Sequence, residues 1–108
     1  KEAEQATLGA CLMNKEALLT TIENLRTEDF YDIAHLCIYK NMLELFHDNV
    51  SVDVVSLTNK LDHMLSHVGG VEYLMGLMDS VPNIQNIEVY NQIVKKKSQQ
   101  RKVWGRRT

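Results

Sequence analysis

The sequence predicts an all-α domain: a globular head of about four helices followed by a C-terminal helical hairpin. Three observations predict it. Apolar residues recur at spacings of three and four along most of the chain. The 108 residues include one proline, Pro82, and five glycines, too few turn residues for a sandwich or barrel. Asn14, Asp32, Asp53, Gly69-Gly70 and Asn83, all helix caps or stops by type, fall between the periodic runs. A chain this long forms one domain and buries about two-thirds of its unfolded surface. Its 44% hydrophobic and 24% charged residues argue against disorder.

The elements follow in order. Leu8, Cys11 and Leu12 form one stripe of a first helix, Glu2 to Met13. Asn14 caps a second, with Leu18, Leu19, Ile22 and Leu25 at i, i+1, i+4 and i+7. Thr27 reads as an N-cap before Glu28 and Asp29, leading through Phe30 and Tyr31 into the next helix. Asp32 caps the third long helix. There Leu36, Tyr39, Leu43 and Phe46 recur, flanked by Ile33, Cys37, Ile38 and Met42. The polar arc of Lys40, Asn41, Glu44 and His47 is narrow, so this helix is expected at the centre of the head. At its third position His35 can bond back to the Asp32 carboxylate, a structural role.

Asp53 caps a fourth helix carrying Leu57, Leu61, Met64, Leu65 and Val68, and Gly69-Gly70 stops it. The β-branched run Val50 to Val55 has no partner strand and is not read as one. A short helix, Val71 to Asp79, then turns at Ser80-Val81-Pro82-Asn83 into a final helix from about Ile84 to Val103, with Asn83 as cap. These are roughly 14 Å and 30 Å long, so half of the longer one lacks a partner within the hairpin. The expected boundaries are a head over residues 1–68, a hairpin over 69–104 and a tail over 105–108. The tail starts a linker or is non-native. Because the chain opens at Lys1 without Met, it reads as a trimmed piece.

Charge is unevenly spread. Residues 1–94 hold all 14 acids and five bases, a net −9, whereas residues 95–108 hold seven bases and no acid. A basic helix end complements the helix dipole. It can also contact nucleic acid, although the acidic body repels phosphate. Cys11 and Cys37 could form one disulfide, but their apolar neighbours favour two reduced, buried thiols and a cytoplasmic protein. His63 and His67, four apart beside Asp62, have metal-compatible spacing without a third ligand, and a solvated helix end is the better reading. The chain has no phosphate-binding glycine loop and no G-x-S-x-G elbow. No catalytic residue, cofactor site or metal site is expected. No run approaches 18 apolar residues, so no membrane contact is expected either.

Four segments carry a resemblance. Glu2-Ala3-Glu4-Gln5 with Leu8-Gly9-Ala10, then Glu28-Asp29-Phe30-Tyr31 with Ala34-His35 and Ile38, are the first two. Val52-Asp53 with Leu57 is the third. Val68-Gly69-Gly70-Val71-Glu72-Tyr73-Leu74, followed by Pro82, Asn86-Ile87, Tyr90, Ile93-Val94 and Lys97, is the fourth. Together they resemble, in order and over nearly the whole chain, the N-terminal domain of bacterial and phage replicative DNA helicases of the DnaB family. Ser51 stands where that family often has Pro, and Trp104-Gly105 interrupts its final helix.

The resemblance implies a head-and-hairpin domain whose hairpins pair between subunits. Such domains form a collar on a hexameric ring, with the ATPase motor elsewhere in the full chain. The implied partners are a second copy of the chain, the helicase-binding domain of primase and a helicase loader, with DNA held mainly by the motor. Tyr73, Leu74, Leu77, Met78, Ile87, Tyr90, Ile93 and Val94 are the self-association candidates. Glu2, Tyr73 and Trp104 are the partner-docking candidates. Asp32, His35, Asp53, Gly69, Gly70, Pro82 and Asn83 are structural. The rival resemblance is to the helicase-binding domain of primase, which has a similar shape. A small DNA-binding module using the basic segment is the other alternative.

Overall fold

The computed structural model describes residues 1–106, with side chains placed through residue 102. It is all-helical among these residues: α1 (Glu2–Met13), α2 (Lys15–Asn24), α3 (Ile33–His47), α4 (Val54–Leu61), α5 (Gly70–Asp79) and α6 (Ile87–Arg106). Short 3₁₀ segments lie at Thr27–Asp29, Asp62–Val68 and Ile84–Asn86.

The caps lie where local chemistry puts them. The Asn14 side chain accepts from Ala17 N–H at 3.0 Å. Asp32 accepts from the N–H groups of Ala34 and His35 at 2.9 and 3.4 Å. Asp53 accepts from Ser56 N–H at 2.8 Å, while the Ser56 hydroxyl accepts from Asp53 N–H at 3.0 Å. Asn83 accepts from Gln85 N–H at 3.0 Å. Each supplies an acceptor to a helix N-terminus that would otherwise lack one.

Thr27 is not the cap of a longer helix. It starts a single 3₁₀ turn, and the carboxylate of Asp29 takes Arg26 N–H at 2.7 Å. The fourth helix also ends earlier than its apolar spacing suggests. Asp62 has φ 49°, which breaks the α-helix, and a 3₁₀ segment continues to Val68. Gly69 follows at φ 111°, where a Cβ would lie 2.7 Å from Tyr73 Cβ. Left-handed geometry and close approach both require glycine there.

The central helix is α1 rather than α3. Eight of its 12 residues are buried, against five of 15 in α3. Its Ala6, Thr7, Gly9 and Ala10 are small, so neighbours close on it from several sides. An apolar stripe marks only one face, and here packing is set by side-chain size. Gly9 is the tightest point: a Cβ there would sit 2.0 Å from the Leu77 carbonyl oxygen on α5. The buried face of α3 is Ile38, Tyr39, Met42 and Leu45 with His35, and Ile33 is exposed.

α5 and α6 form the C-terminal helical hairpin, but the half of α6 beyond α5 is not uncovered, because the head packs against it. Leu74, Leu77 and Val94 belong to the same core cluster as Leu8, Leu18, Phe30, Ile38 and Leu57. The buried positions of α6 are Ile87, Asn91, Val94 and Ser98, and α1, α2 and the Thr27–Asp29 turn cover them. Its backbone stays helical through Gly105 to Arg106, so the glycine does not end it. Replacing Gly9 by Ala should force α1 and α5 apart and destabilise the fold by about 1–3 kcal/mol. The check is a lower urea midpoint at unchanged m-value.

Candidate functional site

The most heavily built part of the molecule is a chain of buried polar groups under the start of α3. Glu4, on the first turn of α1, is 6% exposed. Its carboxylate accepts from Tyr31 N–H at 2.8 Å and Asp32 N–H at 3.4 Å, and meets His35 Nδ1 at 2.8 Å. His35 is fully buried, and its Nε2 meets the Tyr73 hydroxyl. That hydroxyl also accepts from Gln5 Nε2 at 3.3 Å. A neutral imidazole satisfies every direction: Nδ1–H donates to Glu4, and Nε2 accepts from Tyr73. Burial alone pushes Glu4 upward, but His35 and the two backbone N–H groups outweigh it and hold the carboxyl below its usual 4.5.

The ring partners of His35 are therefore Glu4 and Tyr73. Asp32 instead accepts from the backbone N–H groups of Ala34 and His35 and pairs with Lys1 Nζ at 4.0 Å. Glu4 was not separable in sequence from an acid that favours a helix N-terminus. The signal available was His35 itself, a polar residue amid the apolar positions of α3.

A second buried carboxylate anchors α6. Asp29 is fully buried and accepts from Ser98 Oγ at 2.7 Å and Lys95 Nζ at 3.2 Å, with Lys102 Nζ at 3.8 Å. Arg101 donates to the Asp29 carbonyl at 2.8 Å. Burial raises Asp29, but Arg26 N–H, Ser98 and Lys95 overcome it, so its carboxyl lies below the usual 3.8. Three cations of the basic segment thus turn inward.

On the surface above these groups lies a groove of about 530 Å³ between Tyr31-Asp32 and the Lys97–Arg101 stretch of α6. Tyr31 is 74% exposed, with the Arg101 guanidinium 5.1 Å from its ring centre. Ile33 is 82% exposed. A separate cleft of about 350 Å³ lies between the α1–α2 junction and residues 49–53.

The remaining candidates divide by burial. Leu74, Leu77, Ile87 and Val94 are core residues of the monomer, so they offer no surface to a second copy. Tyr73, Met78 and Tyr90 are half-buried, and the Tyr90 hydroxyl clamps the turn through Asn83 N–H at 3.2 Å and its carbonyl at 3.1 Å. Ile93 is exposed, as are Val71, Met75 and Val89. Glu2 is exposed on the first turn of α1, and the side chain of Trp104 lies outside the described residues.

Pro82 sits exposed in the turn before α6, and Gly70 has φ 78°. His63 and His67 lie exposed on a 3₁₀ segment, where residues four apart do not stack as on an α-helix. Among the described residues no group of three or more His, Cys, Asp or Glu could hold a metal ion. Cys11 and Cys37 are both free thiols, and burial pushes Cys11 up to about 12. Among the described residues no helix is long and apolar enough to cross a membrane.

Residues 1–96 match the family described as the DnaB-like helicase N terminal domain. The chain belongs to this family. It is 43% identical over 99 residues to the replicative DNA helicase DnaC of Bacillus subtilis, covering 90% of the chain and 22% of that protein. The same figures hold for the replicative DNA helicase DnaB of Geobacillus stearothermophilus. The Mycobacterium leprae DnaB is 37% identical over 98 residues, covering 89% of the chain and 16% of that protein. The chain thus spans about a fifth of the length of the curated relatives it matches. The crystal structure of the N-terminal domain of DnaB helicase from Mycobacterium tuberculosis superposes with a TM-score of 0.93 at 35% identity. That match covers 96% of this chain and 76% of that one.

Two measurements test the buried site. Both carboxyls have folded pKa values below their usual 4.5 and 3.8. The stability they confer is complete above those values and is lost as pH falls through the folded ones. The urea midpoint should therefore fall as pH drops from about 4.5 toward about 3, and Glu4→Gln should be less stable at neutral pH with a shallower acid slope. His35→Ala strands Glu4 and Tyr73 and should cost about 1–3 kcal/mol, read from the same unfolding curves.

Proposed function

We propose that this chain is the non-catalytic N-terminal collar domain of a hexameric replicative DNA helicase, pairing subunits and docking primase and a loader. The carrying observation is the family match over residues 1–96 of a chain that spans about a fifth of its helicase relatives. ATP-driven unwinding then belongs to the remainder of the parent protein, because this sequence has no phosphate-binding loop.

Subunit pairing uses the exposed apolar positions of α5 and α6: Val71 and Met75 on one, Val89 and Ile93 on the other. Each pair is four apart and lies along one helix face. Half-buried Tyr73 and Met78 border this set in sequence, and Tyr73 and Glu2 remain the docking candidates for primase or loader. Burying a few such side chains offers about 1.5–3 kcal/mol each before association costs, which supports a weak dimer without the motor. The DNA-module reading is weaker, because Lys95 and Lys102 are engaged with the Asp29 carboxylate.

Sedimentation equilibrium should show a concentration-dependent dimer. Ile93→Glu should shift it to monomer with an unchanged circular dichroism melt. Leu77→Glu is uninformative because it would disrupt the core. A wild type that stays monomeric at hundreds of micromolar, or a mutant that dimerises equally well, removes these helices as the pairing surface. Titration with the helicase-binding domain of a primase should give saturable binding that Tyr73→Ala weakens. ATP turnover by the purified chain would contradict the non-catalytic reading.

A further inference from the structure

We propose that the groove between Tyr31-Asp32 and α6 is a docking site for a short acidic peptide segment of a partner protein, one that also carries apolar side chains. This goes beyond the collar reading, which assigns pairing and docking to α5, α6, Tyr73 and Glu2, and it does not depend on that reading.

Exposure of Tyr31, which lines the groove, and of Ile33, which adjoins it next to Asp32, is the first observation. The apolar pattern of α3 would place Ile33 inside, yet it is 82% exposed. The exposure is held in place rather than frayed. The Glu4 carboxylate takes the N–H groups of Tyr31 and Asp32, and Asp32 takes those of Ala34 and His35. The turn that presents the two apolar side chains is therefore fixed by a buried polar chain reaching to Tyr73 on α5.

The chemistry of the opposite wall is the second. Lys97 and Arg101 line the groove, and among the described residues neither pairs with a carboxylate. Arg101 makes one bond, to the Asp29 carbonyl, and holds its guanidinium against Tyr31. Its remaining N–H donors suit a carboxylate. The two carboxylates in the groove are already engaged: Glu4 accepts from two backbone N–H groups and His35, and Asp32 from two backbone N–H groups and, at 4.0 Å, pairs with Lys1, the third cation lining the groove. Cations that lack an acid, beside an exposed aromatic ring, complement a ligand that is both acidic and apolar.

Size and charge choose the occupant. About 530 Å³ accommodates a few side chains. Nucleic acid would extend past the groove along a chain whose first 94 residues carry a net −9. A short peptide meets only the groove.

The probes are short fluorescein-labelled peptides, read by fluorescence anisotropy on the full 108-residue chain. One alternates Asp and Glu with Leu and Phe. Two others replace the acids by Ser or by Lys. The acidic peptide should bind saturably, and more weakly as salt rises. Ile33→Asp and Lys97→Glu should each weaken it about fivefold to tenfold. Lys40→Glu, an exposed substitution of equal charge on α3, should not. Circular dichroism melts confirm folding; Ile33 and Lys97 are exposed and outside the buried polar groups.

Failure of all three peptides to bind overturns the proposal, as does equal binding of the Ser or Lys peptide. A Lys97→Glu effect no larger than that of Lys40→Glu also overturns it. So does preferential binding of oligothymidylate, which would make the groove a nucleic-acid site. Self-association abolished by Ile33→Asp would give the groove to a second copy and likewise overturn it. Apart from that last outcome, which would also bear on the α5–α6 pairing surface, none alters the Ile93→Glu sedimentation result, so the two readings fail separately.

Discussion

Burying the carboxylate of Glu4 is the constraint from which the rest of the structure follows. Removing a charge from water costs several kcal/mol unless its acceptor positions are filled. Here they are filled by groups from elsewhere in the chain: the backbone of residues 31 and 32, and the ring of His35. Satisfying one charge on α1 therefore fixes the turn into α3, the entry angle of α3 and, through His35 and Tyr73, the position of α5. Apolar burial drives the collapse of these helices but does not choose one relative arrangement among several of similar area. Directional bonds do, because each forms only over a narrow range of distance and angle.

Asp29 repeats the device on the other side of the same turn. Its carboxylate and carbonyl draw in Lys95, Ser98, Arg101 and Lys102 across α6. The contrast between an acidic body and a basic end is thereby partly internal. It reads as a long-range charge asymmetry in sequence, and folding brings the two signs together. Asn91 completes the seam, donating to Thr21 at 3.2 Å and accepting from Asn24 at 3.2 Å. The buried stripe of α6 alternates apolar and polar residues, Ile87, Asn91, Val94 and Ser98, so two of the four positions that face the core are polar.

What was legible in sequence was local. The side chains of Asn14, Asp32, Asp53 and Asn83 accept from backbone N–H groups no more than three residues away, so spacing and residue type reveal them. Gly69 is legible for the same reason. The pairing of Glu4 with His35 spans 31 positions and leaves no local trace. The centrality of α1 is hidden because small residues permit burial without a strong apolar stripe. The apparent overhang of α6 was a question about partners, which helix lengths cannot answer; the head supplies them, so Leu74, Leu77, Ile87 and Val94 are spent inside. Ile33 is the opposite case. Its pattern says buried, but it sits at the first turn, where the cap and the Glu4 contacts set the direction of the chain before packing can.

The same geometry explains why exposed apolar side chains fall here. A protein surface can expose large apolar side chains at fixed positions only if something other than their own burial holds the backbone. On α5 and α6 the core beneath supplies that support: Leu74, Leu77 and Val94 are buried while Met75 and Ile93 remain outside. Tyr31 lies just before α3 and Ile33 is its first residue, and there the support is electrostatic. Loss of the Glu4 charge would weaken its hold on the N–H groups of Tyr31 and Asp32, and with it the direction in which the turn points. The head is thus held by two kinds of interaction. Packing fixes the exposed face of α5 and α6, whereas a buried charge fixes the groove.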